Sequence, residues 1–126
     1  MSPLRVRREA LADDSLVVAR GGELSAATLH HDAVLCFRRF GEYGISVLAA
    51  PDDVALDQLA AAVLQRFETL TITTVGALRE TGLEVRPTFR RPHHSVMLVD
   101  LEADVERLMG CENAQRRNFH YQAPEP

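Results

Sequence analysis

Residues 51–73 read PDDVALDQLAAAVLQRFETLTIT, and within them the hydrophobic period changes from that of a helix to that of a strand. Up to Phe67 the apolar side chains recur every three or four residues, which predicts an amphipathic helix that opens at Pro51, Asp52 and Asp53. From Thr69 to Thr73 they alternate at every second residue, which predicts a strand with one polar face. A helix that packs against a sheet is therefore the basic unit of this chain.

The same criteria predict further elements on both sides of this stretch. Strands are expected at residues 15–20, 44–49, 83–89 and 95–99, and a short helix at 75–81. Ser25 is expected to cap a helix that Gly41 ends, and Asp100 to cap a last helix that Gly110 closes. This order predicts an α/β or α+β fold with a mixed sheet of about five strands and three to four helices packed on it.

Length and composition favour one domain. The 126 residues are 46% hydrophobic, which is enough for one core, and we expect a single domain over 1–126. Its core is expected at about 15–110, with residues 111–126 as an extended or flexible tail. The sequence contains neither an uninterrupted apolar run of membrane-spanning length nor a signal sequence, so we expect a cytoplasmic protein without membrane contact.

The strongest candidate site is a cluster of cationic and titratable residues at 90–95, RRPHHS. All 14 cationic side chains of the protein are arginines, whose planar fork can hold a phosphate bidentately. We expect Arg90 and Arg91 to bind phosphate at a hairpin tip, while His93 and His94 act as catalytic acid and base. This arrangement predicts metal-free chemistry on RNA or a nucleotide phosphate. The small size of the chain adds the hypothesis of an effector that is the toxin component of a bacterial toxin–antitoxin pair, which these residues do not themselves indicate.

A second candidate is the C-terminal tail, where arginines alternate with aromatic and amide side chains. Arg116, Arg117 and Tyr121 are suited to phosphate pairing and base stacking on RNA. They are equally suited to docking on a protein, because Arg and Tyr are enriched in interfaces. The main alternative function is therefore a non-catalytic protein-binding module that engages a cognate partner through the Arg-rich hairpin and the tail.

A third candidate is carried by a resemblance. Arg20-Gly21-Gly22 ends one predicted strand, and Ser46 lies near the start of the next. This order resembles ADP-ribosyltransferases, and the resemblance implies an NAD site at Arg20 and Ser46. That family also needs a positioned glutamate, which neither Glu84 nor Glu102 supplies within the expected motif.

Other cofactors and metals have no support in the sequence. The histidines and cysteines do not have the spacing of a zinc site, and there is no glycine-rich phosphate loop. The segment His93-His94-Ser95-Val96 resembles one element of the two-histidine phosphoesterases, which require a second such element that the sequence lacks. We therefore expect neither a cofactor nor a bound metal in the leading hypothesis.

Overall fold

The computed structural model describes residues 2–125, which form six strands and four helices. In chain order these elements are β1 (Leu16–Gly21), α1 (Ala26–Phe40), β2 (Tyr43–Ala50), α2 (Asp53–Val63), β3 (Thr69–Thr74), α3 (Val75–Glu80), β4 (Glu84–Pro87), β5 (His93–Leu98), α4 (Leu101–Gly110) and β6 (Ala114–Arg117). They make one α+β domain, which confirms the predicted fold class.

The strands form one sheet in the order β4-β5-β2-β1-β3-β6, and every neighbouring pair is antiparallel. The sequence predicts a mixed sheet of about five strands, whereas the structure has an antiparallel sheet of six strands. Two strands, β2 and β3, do run parallel and are joined through α2, but β1 lies between them and pairs with both. A helical crossover is therefore present without any parallel ladder.

Alternation along the strands divides the apolar side chains between the two faces of the sheet. Val17 and Ala49 belong to a cluster that α1, α3 and α4 cover. Their strand neighbours Val18 and Ala50 belong to a second cluster, covered by α2 through Leu56 and other side chains. The sheet is therefore a central layer with a separate apolar cluster on each side.

Helix ends follow the predicted caps, with one exception. Ser25 caps α1 and Gly41 ends it with a positive φ of 79°, while Asp100 caps α4. The helix predicted to extend to Phe67 ends instead at Val63. Just beyond that end, the Asn118 side chain, which comes from the tail, donates to the carbonyl oxygens of Leu64 and Phe67.

Both chain ends pack against the domain. The tail residues 114–117 form β6 and pair with β3, so the expected tail is extended and carries a strand at the sheet edge. Near the other end Leu4 is buried, and Val6 makes an isolated bridge with Thr88. Within the described residues, none of the helices has both the length and the apolar character needed to cross a membrane.

Candidate ligand-binding cavity

A cavity of about 640 Å³ lies between the N-terminal segment, the start of α2 and the loop before β5. Its lining includes Glu9, Ala10, Leu11, Ala12, Ala49, Ala50, Pro51, Gln58, Leu59, Arg91, Pro92 and His94. The volume falls within the range of small-molecule sites, about 300–1,000 Å³. Most of these side chains are apolar, and Glu9, Arg91 and His94 form a charged and titratable group on one wall, which is the usual composition of a ligand pocket.

Arg7 fixes the N-terminal wall of the cavity. Its Nη1 donates to the carbonyl oxygen of Thr88 at 2.6 Å and to that of His93 at 2.8 Å. Its main-chain N–H donates to the carbonyl oxygen of Pro87 at 2.7 Å. These bonds join the N-terminal segment to β4 and β5, so a side chain outside the cavity holds one of its walls in place.

Glu9 is the acidic group of the cavity and is bracketed by two arginines. Its Oε2 accepts from Nη2 of Arg7 at 3.1 Å and lies 3.3 Å from Nε of Arg91. Burial acts to raise its pKa, but the hydrogen bond from Arg7 and the charges of Arg91 and Arg7 outweigh burial and lower the pKa below its ordinary 4.5. Glu9 is therefore a carboxylate at neutral pH.

His94 is almost fully buried, at 2% exposure. Its Nδ1 lies 2.8 Å from the carbonyl oxygen of Pro92, which can only accept, so Nδ1 carries the proton. Burial lowers the pKa of His94 below 6.5, and the charges of Arg7 and Arg91 act in the same direction. The ring is therefore neutral at pH 7, with the lone pair of Nε2 3.5 Å from Nη2 of Arg7.

His93 points away from this cavity. Because it precedes His94 in β5, its side chain lies on the opposite face of the sheet, where it lines a separate pocket of about 160 Å³. Its Nδ1 lies 2.8 Å from Oγ1 of Thr88, which in turn lies 2.8 Å from Oγ of Ser95. Burial lowers the pKa of His93 as well.

The structure therefore does not bring the two imidazole groups together. We expected both histidines in a connecting loop, but β5 already begins at His93. Strand alternation then separates their side chains, because successive residues of a strand point to opposite faces. A catalytic acid and base that act on one phosphate would have to share a pocket, whereas His93 and His94 line two different ones.

The two arginines of the loop also differ. Arg91 lines the cavity with a side chain that is 76% exposed, and only its Nε faces Glu9. No protein partner of its Nη atoms is found within residues 2–125. Arg90 is exposed and is not part of the cavity lining. The candidate anion contact is thus Arg91, and Arg90 serves as its natural comparison.

Arg20 and Ser46 line the same small pocket as His93. Nη2 of Arg20 donates to Oδ2 of Asp32 at 2.5 Å, so part of its hydrogen-bonding capacity is already used. The pocket of about 160 Å³ lies below the usual range for small-molecule sites. This geometry gives an NAD site at these residues no support.

The three candidate residues of the tail have different surroundings. Arg116 donates to Oδ1 of Asp53 at 2.9 Å and so ties β6 to the start of α2. The guanidinium of Arg117 lies 5.7 Å from the ring centre of Phe119 and is exposed. Tyr121 is half-buried, and its main-chain N–H donates to the carbonyl oxygen of Asn118.

Sequence reasoning missed Arg7 and Glu9, which lie far from the Arg90–Ser95 cluster in the chain. The only signal was their composition, a charged N-terminal run without a hydrophobic segment after it. No group of three or more His, Cys, Asp or Glu side chains suited to a metal ion occurs in the part of the chain that the structure describes. The cavity is therefore a pocket formed by apolar walls and the Glu9, Arg91 and His94 side chains.

The chain matches no protein-family model, and no curated protein or solved structure matches it either. The site is accordingly interpreted from its own geometry.

Proposed function

We propose that this protein is a binding domain for a small anionic molecule, which occupies the cavity with its phosphate or carboxylate against Arg91. The observation that carries the proposal is the position of Arg91 at an apolar cavity of about 640 Å³. Its Nε faces Glu9, which orients the guanidinium, while the Nη atoms are available for a bidentate contact with an anion.

The charges of the site favour an anion of modest charge. Arg7 and Arg91 provide two positive charges, Glu9 provides one negative charge, and His94 is neutral at pH 7. The remaining positive charge balances a carboxylate group and offsets part of the charge of a phosphate monoester, about −1.5 to −2 at pH 7. Leu11, Leu59 and the neighbouring alanines supply apolar walls for a ring or chain attached to that group.

A nucleoside monophosphate has both required parts, a flat base and a phosphate, and it belongs to the ligand class that the sequence predicts. Binding is favoured over two-histidine cleavage because His93 and His94 face opposite sides of the sheet. Acid and base groups of such a mechanism must both reach one phosphodiester. The toxin–antitoxin role stays a prediction from the sequence.

The test is calorimetric titration of the four nucleoside monophosphates, each compared with its nucleoside. We expect a monophosphate to bind more tightly than its nucleoside, and Arg91→Ala to weaken that binding by at least about tenfold, the smallest loss expected for a charge-assisted hydrogen bond. Arg90→Ala is the matched control, because it removes the same group from the same loop outside the cavity. Binding of the monophosphate should be unchanged in this control.

Two outcomes would refute the proposal. One is the absence of binding by any of the monophosphates at millimolar concentration. The other is equal loss of affinity in the Arg90 and Arg91 variants, which would indicate general attraction to a basic loop rather than a site at the cavity.

A further inference from the structure

The strand β6 forms one edge of the sheet, and its outer main-chain groups face away from β3. The N–H of Asn118 donates inward to the carbonyl oxygen of Glu68 at 2.9 Å. Because alternate residues of an antiparallel strand bond to the same neighbour, Arg116 and Ala114 also face β3. The main-chain groups of Gln115 and Arg117 therefore point outward from the sheet.

The opposite edge, at β4, is covered. The N–H of Arg7 donates to the carbonyl oxygen of Pro87 at 2.7 Å, and that of Phe89 to the carbonyl oxygen of Arg5 at 2.9 Å. Together with the Val6–Thr88 bridge, these bonds place the N-terminal segment along that side. No segment within residues 2–125 pairs in this way with the outer side of β6.

Anchors on one side of the tail hold β6 in place. Nδ2 of Asn118, a residue that is 4% exposed, donates to the carbonyl oxygens of Leu64 at 2.8 Å and Phe67 at 2.9 Å. Nε2 of His120 lies 2.8 Å from Oδ1 of Asp57. These contacts therefore hold the edge strand β6 in a fixed position.

Arg117 and Phe119 form an exposed pair of side chains at the end of β6. Phe119 is 83% exposed, and the guanidinium of Arg117 lies 5.7 Å from its ring centre. Arginine and large aromatic side chains are the types that dominate binding energy at protein interfaces. An outward main-chain edge and an Arg–aromatic pair thus lie next to each other on one strand.

We propose that β6 docks an extended acidic segment of a partner protein, which adds to the sheet as a seventh strand. Main-chain hydrogen bonds to Gln115 and Arg117 would supply affinity, and carboxylates beside Arg117 would supply specificity. Phe119 gives an apolar side chain of the partner a surface to pack on.

Charge selects this occupant over a second copy of the chain. The strand contains two arginines and no acidic residue. Because Asp53 pairs with Arg116, two β6 edges paired with each other would bring together the two Arg117 guanidinium groups, for which no carboxylate partner is found within residues 2–125. Like charges on an edge strand oppose such pairing.

Charge also favours a peptide over RNA. Arg116 is already paired with Asp53, and Asp57 lies beside His120, so carboxylates flank the strand on the α2 side. A phosphate backbone carries a charge at every nucleotide and would meet these carboxylates. An extended peptide with acidic residues at alternate positions can instead place its carboxylates only on the face that carries Arg117.

The experiment selects binders from a phage-displayed library of random dodecapeptides, followed by titration of the enriched peptides. We expect enrichment of peptides without proline that carry acidic residues at alternate positions. Amide hydrogen exchange should then slow by about tenfold or more at Gln115 and Arg117 when peptide is saturating, because pairing protects these two N–H groups. The amides of Ala114 and Arg116 already face β3, so they serve as the internal reference.

Paired variants separate the main-chain contribution from the charge contribution. Gln115→Pro removes the outward N–H, while Gln115→Ala loses the same side-chain bond to Thr71 but keeps that N–H. We expect the proline variant to lose the peptide and the alanine variant to retain it. Arg117→Glu should weaken binding by about tenfold or more, whereas Arg38→Glu, the same charge change on exposed α1, should not.

Several results would overturn the proposal. These are enrichment of peptides without an acidic excess, equal binding by the proline and alanine variants, or no added protection at Gln115 and Arg117. Displacement of the peptide by oligouridylate, together with tighter binding of that RNA, would assign the strand to nucleic acid instead. The test does not involve the cavity, so its outcome is independent of the nucleotide titrations.

Discussion

Replacing Arg7 with alanine should destabilise the protein through its contacts with the β4–β5 loop. The side chain donates to the carbonyl oxygens of Thr88 at 2.6 Å and His93 at 2.8 Å, and it pairs with Glu9. Hydrogen bonds from a charged donor contribute about 1.5–3 kcal/mol each. The lower end of that range applies here because the side chain is part-exposed, which gives a loss of about 3 kcal/mol for the two bonds.

Equilibrium unfolding in urea measures this loss. With a slope near 2 kcal/mol/M, a loss of about 3 kcal/mol lowers the midpoint by about 1.5 M. Arg8→Ala is the matched control, since Arg8 is the exposed neighbour of Arg7 and its substitution should change stability by less than about 0.5 kcal/mol. Equal midpoints for the two variants would refute the role of Arg7 in holding the N-terminal wall of the cavity in place.

Two further predictions concern packing and pH. Gly21→Ala should lower the free energy of unfolding, measured in urea, by about 1–3 kcal/mol, because the new Cβ would lie 2.2 Å from the Phe67 ring. Gly110→Ala is the control and should not destabilise the protein, since no atom lies within 4 Å of its Cβ position. Equal stabilities of the two variants would contradict this packing. The pKa of His94 is lowered from 6.5 by burial, so below about pH 6.5 the unfolded chain binds a proton that the folded protein does not, and stability falls as pH falls. His94→Gln should reduce the slope of stability against pH between about pH 6.5 and 5, and an unchanged slope would refute the burial of a neutral ring.

The local elements were largely predictable because their signals are local. Ser25 and Gly41 bound α1 as expected, and Asp100 caps α4 as expected. These positions depend on side-chain capping and on a left-handed backbone, which neighbouring residues determine. The end of α2 at Val63 was not predictable, because the helical spacing of apolar residues continues to Phe67. The contact of Asn118 with the carbonyl oxygen of Leu64, more than fifty residues away in the chain, gives no local signal either.

The order of the strands was not predictable from the alternation of helices and strands. That alternation predicts a crossover between parallel strands, and the crossover from β2 through α2 to β3 is present. What it cannot predict is that β1 occupies the position between them, since β1 is as apolar as a strand in any central place. Insertion of that one strand puts two antiparallel ladders in the place of a parallel β2–β3 ladder.

For the candidate site, composition identified the important loop but misjudged its geometry. Arg91 and His94, two residues of the cluster at 90–95, do line the cavity of about 640 Å³. β5 begins at His93, two residues earlier than predicted, so both adjacent histidines belong to a strand and not to a loop. In a loop both rings can turn toward one ligand, whereas in a strand they are held on opposite faces.

The position of the N-terminal segment links the two proposals. Through Arg7 the segment covers the β4 edge, and through Glu9 to Ala12 it forms one wall of the cavity. A single stretch of chain therefore covers the β4 edge and also forms one wall of the candidate cavity. The β6 edge has no such cover within residues 2–125, and its arginines limit which strands can pair with it. The proposed cavity and the proposed docking edge thus have no lining residue in common. Variants of Arg91 and variants of Arg117 therefore test the two proposals separately.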